Sequence, residues 1–371
     1  MIYLDYAASS PPFPQVIDEM STVALTQFGN PGAIHKYGTG AREILQNSRS
    51  ILAELSNVRP EEIFFTSGGT EANNWAVRAG CASGGRKHIV CSSAEHSSVL
   101  AAVAEMRRIG YDVTYLNPNR DGLILPAAVE AALRPDTALL CVQAVNNETG
   151  VIQDVDALAD LARKKGVRYF CDGVQSFGHV AQNLCKADLV SLSAHKLGGP
   201  RGVGCLIIRQ PISPAPMIVG GGQEFGLRSG TENLPGIAGF TCAAALSMES
   251  LPQEQPRLAA LRTLFEDELR KICPEVRIAG EGAARTGILC CAFPGITGEE
   301  MVVRLDLKGI CASPGAACAA RSAKPSHVLL SMGYSPKEAA EFVRFSLGRN
   351  TTEEEIYRTL SVIADIVKKR S

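Results

Sequence analysis

The sequence predicts an α/β protein, with a mostly parallel sheet in a large domain and a smaller α+β domain beside it. Three observations carry this. Between about residues 63 and 208, short β-branched runs alternate with helical stretches, the pattern of strand and helix units wound around a parallel sheet. A length of 371 residues is too great for one small core. The polar stretch Ser250-Leu251-Pro252-Gln253-Glu254-Gln255-Pro256 then interrupts the alternation and reads as a linker. On this reading a large domain ends near residue 252 and a smaller one follows.

The elements follow in order. Ile63-Phe64-Phe65-Thr66 reads as a strand that runs through Ser67-Gly68-Gly69-Thr70 into a helix start. Residues 97–109 read as a helix closed by Arg107, Arg108 and Gly110, and residues 155–165 as another, opened by Asp154 and closed by Lys164, Lys165 and Gly166. Strands restart at Tyr111 and Val167. The most apolar stretch, residues 234–248, is broken by Gly236 and Gly239 and falls short of the ~20 residues that a bilayer core requires, so it reads as a buried helix. The last helix opens at Thr351-Thr352-Glu353-Glu354, where Thr351 and Glu354 have capping-box spacing.

Composition narrows the function classes. Hydrophobic residues make up 46%, charged residues 20%, and the net charge is −1, which argues against a disordered tail or an electrostatic nucleic-acid binder. No signal peptide opens the chain, so a cytoplasmic setting without a membrane is expected. The twelve cysteines then read as thiols in a reducing compartment rather than a disulfide framework. No Cys-x-x-Cys pair occurs, so no metal site is expected.

In open α/β sheets ligands gather beyond the carboxyl ends of the strands. Gly69 and Thr70 open a helix after a strand, where backbone N–H groups and the helix dipole suit a phosphate; a plain glycine turn would look the same. Gly-x-Gly-x-x-Gly, Gly-Lys-Ser/Thr and Gly-x-Ser-x-Gly are all absent, which weakens dinucleotide, nucleotide-triphosphate and serine-hydrolase readings. Lys196, in Ser193-Ala194-His195-Lys196-Leu197-Gly198-Gly199, has apolar and small neighbours; partial burial would lower its pKa and favour a Schiff base, although a lysine in a glycine loop is more often structural or solvated. Asp172 ends a strand, where a lone aspartate more often caps a helix or turn, but beside a Schiff-base lysine its carboxylate can pair with a ligand nitrogen, as the pyridine ring of pyridoxal phosphate requires. His96 could stack on a flat ring or, as a histidine at a helix start more often does, simply belong to the cap, and Asn147 and Gln175 could bond the ring's substituents or simply satisfy loop backbone.

Taken in chain order, these segments closely resemble the cysteine desulfurases of the NifS and IscS type, fold-type I enzymes of the class V aminotransferase group. The match includes Tyr3-Leu4-Asp5-Tyr6-Ala7-Ala8, Gly29-Asn30-Pro31, Ser67-Gly68-Gly69-Thr70-Glu71-Ala72-Asn73-Asn74, Glu95-His96 and Asn146-Asn147-Glu148-Thr149-Gly150. It continues through Asp172-Gly173-Val174-Gln175-Ser176, Ser193-Ala194-His195-Lys196, Arg228-Ser229-Gly230-Thr231, Gly315-Ala316-Ala317-Cys318 and Arg344-Phe345-Ser346-Leu347-Gly348-Arg349.

The resemblance implies a pyridoxal-phosphate homodimer, with residues 13–252 as the large cofactor-binding domain and residues 1–12 with 253–371 as the small domain that carries the cysteine loop. Lys196 would carry the Schiff base, Asp172 would pair the ring nitrogen, and His96 would stack on the ring. Asn147 and Gln175 would bond the ring oxygen; Gly69, Thr70, Ser193 and His195 would hold the phosphate, joined by Thr231 from the other subunit. Arg344, with Asn30, would grip the carboxylate of L-cysteine. Cys318 would accept the sulfur as a persulfide, for delivery to an acceptor such as an iron–sulfur scaffold protein, with which it could transiently share a nascent cluster.

The surroundings of Cys318 suit that task, because Arg321 and Lys324 follow it and favour a thiolate. Pro314 stands where many relatives have serine, and docking to a scaffold through the longer tail that some relatives have is not expected. Selenocysteine or another amino acid as substrate keeps the same fold and cofactor. A non-catalytic sulfur carrier is the reading from another class, and it leaves the Lys196 and Asp172 pair without a use.

Overall fold

The computed structural model describes residues 1–82, 85–315 and 325–368. Strand β1 (Ile2–Tyr3) precedes β2 (Ile63–Thr66), β3 (His88–Ser92), β4 (Asp112–Leu116), β5 (Thr137–Cys141), β6 (Arg168–Asp172), β7 (Leu189–Ser193) and β8 (Gly204–Ile208). The last seven make one sheet in the order β2-β8-β7-β6-β5-β3-β4. All its pairings are parallel except those of β8, which runs against both β2 and β7.

The strands are short apolar runs because helices cover both faces. Successive residues therefore enter different cores: Leu140 packs with Val16, Leu158 and Phe240, while Leu139 packs with Trp75, Val103 and Phe170. The helices Ser97–Arg108 and Val155–Lys164 form as expected, the second capped by Asp154 at 3.0 Å from Ala157 N.

A second sheet joins β9 (Arg277–Ile278), β10 (Ile288–Ala292), β12 (Ser313–Pro314) and β13 (Phe342–Ser346) in antiparallel order β12-β13-β10-β9. Strand β11 (Ile310–Cys311) pairs in parallel with β1. Ile2 and Leu4 accordingly pack with Phe265, Leu305 and Phe345 in a core of their own.

Two expectations are corrected. Residues 250–256 are not an extended linker: one 39-residue helix, Leu234–Ile272, runs through them with Pro252 and Pro256 inside. Both prolines are solvent-exposed, so water can serve the carbonyls that lose their N–H partners, while both cores reward the helix. This helix is long and apolar enough to cross a bilayer, but 61% of its most apolar window is buried against the rest of the protein, as in a core helix. The final helix, Glu353–Lys368, has its capping box one residue later than expected: Thr352 and Glu355 exchange backbone and side-chain bonds, both 3.2 Å, while Thr351 Oγ1 accepts from Gly348 N.

Candidate active site

Beyond the ends of β2, β3, β5, β6 and β7, the loops converge on a cavity of about 410 Å³. Its floor at one end is the glycine turn. Gly68 holds φ at 146°, where a side chain would strain the backbone, and the helix Gly69–Cys81 starts one residue later. A Cβ on Gly69 would stand 3.0 Å from Val174 Cγ2 and 3.7 Å from Ser193 Cβ, so the bare glycine keeps this corner open. Gly69, Thr70, Ser193 and His195 all line it, around the positive end of the helix.

Lys196 lies in the turn after β7 and also lines the cavity. Its Nζ donates to the carbonyls of Ala7 at 2.6 Å and Ala8 at 3.0 Å, and its own carbonyl is held by Ser10 Oγ at 2.6 Å and His179 Nε2 at 3.0 Å. Gln175 Nε2 reaches the same Ala7 carbonyl at 2.9 Å. Asp172 is 6% exposed; Asn73 Nδ2 donates to Oδ2 at 2.8 Å and Val174 N to Oδ1 at 3.0 Å. A buried carboxylate with both oxygens fixed is costly unless a positive group faces it. The cavity therefore presents an amine and an oriented anion to whatever it binds.

The histidines are neutral donors or acceptors in this setting. Burial pushes His195 down to about 4, helped by the charges of Lys196 and Arg201. Burial also lowers His96, with Asp172 pulling the other way. His96 caps the helix Ser97–Arg108 by accepting from Ser98 N at 3.2 Å. Beneath it Glu95 is 1% exposed, and burial raises its carboxyl to about 8.

Arg344, on β13, brings the second sheet to the same cavity, and Asn147 lines it too. Arg344 Nη1 donates to the Asn147 carbonyl at 2.9 Å, and Nη2 pairs with Asp5 Oδ1 at 2.7 Å. One expected residue is not brought in. Asn30 is exposed and spends its Oδ1 on Gly32 N at 2.8 Å, because it closes its own turn. Thr231 is exposed and outside its own chain's cavity. Cys318, Arg321 and Lys324 lie outside the described residues.

Sequence reasoning missed Asn73, Gln143 and the Ala7 and Ala8 carbonyls. Asn73 stands four residues after Gly69, one helical turn on, so its side chain shares the cavity-facing side; that spacing was a usable signal. Gln143 also lines the cavity, and its Nε2 donates to Ala94 O at 2.6 Å.

The profile of the aminotransferase class-V family matches residues 2–359. The chain belongs to the class-V aminotransferase family. Within the family it is 37% identical to cysteine desulfurase IscS of Dictyoglomus turgidum over 373 residues, covering 99% of this chain and 95% of the relative. It is 41% identical to cysteine desulfurase IscS of Pseudomonas aeruginosa over 378 residues, covering 99% and 93%. A solved NifS-like protein superposes with a TM-score of 0.92 at 31% identity, covering 99% of each chain. A solved structure of SspA in complex with cysteine gives 0.81 at 34%, covering 94% of this chain and 99% of that one. These class-V neighbours agree with a fold-type I architecture.

Proposed function

We propose that this protein is a pyridoxal-phosphate-dependent cysteine desulfurase, which removes sulfur from L-cysteine, leaves L-alanine, and holds the sulfur as a persulfide on Cys318. The observation that carries the reading is the convergence of Lys196, Asp172, Arg344 and the Gly69 helix start on one cavity.

The donor set fits the cofactor. The open glycine corner suits a phosphate, the doubly held Asp172 suits a protonated pyridine nitrogen, and the Lys196 amine suits an aldehyde. When bound, the cofactor supplies an aldehyde that captures amines and a ring that accepts electrons from an adjacent carbon.

The protein's own groups supply the rest. Arg344 attracts the substrate carboxylate, and Lys196 Nζ moves a proton at the substrate α-carbon. Neutral His96 presents a ring face without adding charge. Cys318 Sγ attacks the substrate sulfur: an S–S bond forms, the C–S bond breaks, and its electron pair returns to the carbon that gains a proton to become the alanine methyl group. Substrate carbon is reduced and the cysteine sulfurs are oxidised, so no outside reductant is needed.

Among the described residues all eleven cysteines are free thiols, which supports a reducing, cytoplasmic setting. Burial pushes Cys81 up to about 12 and raises Cys141, Cys171, Cys205 and Cys290 as well, which makes them poor nucleophiles. Exposed Phe28, Ile34, Val219 and Phe225, together with an outward Thr231, support a homodimer in which Thr231 serves the partner's phosphate. A sulfur-acceptor protein, of the iron–sulfur scaffold kind, would then collect the persulfide.

The test is the visible spectrum of purified protein before and after L-cysteine, followed by alanine and persulfide assays. Lys196→Ala is expected to abolish the cofactor absorbance. Alanine formed by Cys318→Ala at the unmutated rate would overturn the persulfide step.

A further inference from the structure

Two straps join residues that do not themselves line the cavity. Ser326 is 2% exposed, caps the helix His327–Ser331 by accepting from Leu329 N at 3.2 Å, and directs its hydroxyl hydrogen at Glu148 Oε2. Glu148 is 5% exposed and follows Asn147, whose carbonyl receives Arg344 Nη1. Next in sequence, His327 shares a hydrogen between Nε2 and the Glu95 carbonyl at 2.9 Å, directly before His96.

The described chain on either side of residues 316–324 thus meets the same small region. Upstream, Ser313 stands opposite Arg344 in the β12 and β13 pairing, and Gly315 N donates to Phe342 O at 3.1 Å. Downstream, Ser326 and His327 are tied to the loops that carry Asn147 and His96. A buried carboxylate costs several kcal/mol of hydration, and an apolar residue would fill the same space more cheaply. Burial raises the Glu148 carboxyl, while the hydrogen bond from Ser326, and then His327 and Arg344, act against that shift.

We propose that Glu148 and Ser326 act as a pair of positioning residues for sulfur transfer, fixing where the chain after Cys318 rejoins the loop that carries Asn147. This rests on the desulfurase reading. Binding of L-cysteine to the cofactor needs neither residue, whereas transfer of its sulfur to Cys318 depends on where that stretch of chain is anchored.

The experiment uses the full-length, cofactor-loaded protein in single turnover with L-cysteine. It follows the cysteine-induced change in the cofactor spectrum and, separately, persulfide on Cys318 by alkylation and mass spectrometry. Ser326→Ala and Glu148→Ala are each expected to slow persulfide formation about tenfold, the loss of one buried charge-assisted bond, with the spectral change unaltered. The double variant is expected to be no slower than either single one, because the two act through one bond. Ser326→Thr, which keeps both hydroxyl roles, is expected to restore the rate to within about twofold.

Persulfide formation at the unmutated rate overturns the proposal. So does an equal slowing of both signals, which would make the strap a support for the cofactor loop alone. Should the alanine variants not fold, Glu148→Gln keeps the volume and weakens only the charged bond, and an unchanged persulfide rate there is equally fatal. If unmutated protein forms no persulfide at all, the functional reading fails instead.

Discussion

Asn73 Nδ2 lies 2.8 Å from Oδ2 of Asp172, so one bond joins the helix behind the glycine turn to the end of β6. With Val174 N on the other oxygen, the carboxylate is fixed in its plane. Asn73→Ala is expected to weaken cofactor retention about tenfold, the usual cost of losing a charge-assisted bond. Asn73→Asp places a like charge there and is expected to lose more. Titration of the apoprotein by absorbance measures both, and an unchanged affinity in Asn73→Ala would show that the bond does not orient the acid.

Glu95 and His195 give opposite pH dependences. Glu95 titrates near 4.5 when unfolded and about 8 when folded, so the folded state holds the extra proton between those values. Stability from this residue falls as pH rises through that window, by at most about 1.4 kcal/mol per unit. Glu95→Gln keeps an acceptor for Gln143 N, and its Tm relative to the unmutated protein is expected to climb from about pH 5 to about pH 8. A constant offset across that range would mean that Glu95 is charged in the fold.

His195 moves from 6.5 unfolded to about 4 folded, so there the unfolded state binds more protons. Its contribution is lost as pH falls through that interval and is complete above it. His195→Asn is therefore expected to show a smaller drop in Tm between about pH 7 and about pH 5 than the unmutated protein.

Gly204 faces the glycine turn from β8. A Cβ there would stand 2.4 Å from Leu192 O and 2.8 Å from Gly68 Cα, both backbone atoms that cannot swing away. Gly204→Ala is expected to cost about 1–3 kcal/mol and to impair phosphate binding by displacing the turn. Denaturant melts and cofactor titration check the two effects; a variant that melts normally and binds normally would mean that β8 yields at little cost.

Cys318→Ser is expected to keep the cofactor absorbance and form no alanine, whereas Cys185→Ser, at a partly exposed thiol far along the chain, is expected to retain both. Equal loss in the two variants would point to a general need for thiols rather than one acceptor.

The strand-end residues were legible because a parallel sheet concentrates its ligands where strands stop, and Lys196, Asp172 and His96 each sit at or within four residues of such an end, with Asn147 six residues beyond another. What escaped were pairings across long separations: Lys196 with Ala7, 189 residues apart, and Ser326 with Glu148, 178 apart. Local spacing carries no trace of them. The prolines at 252 and 256 read as a break because propensity ignores which side of a helix faces water. Asn30 read as a substrate contact from its motif, but its carbonyl oxygen is committed to its own turn.

The helix Leu234–Ile272 lends Phe240 to one interior and Phe265 to the other. A girder shared in this way couples the fates of the halves it joins: neither can lose its interior without fraying the beam that supports its neighbour. Calorimetry is therefore expected to record one cooperative melt rather than two.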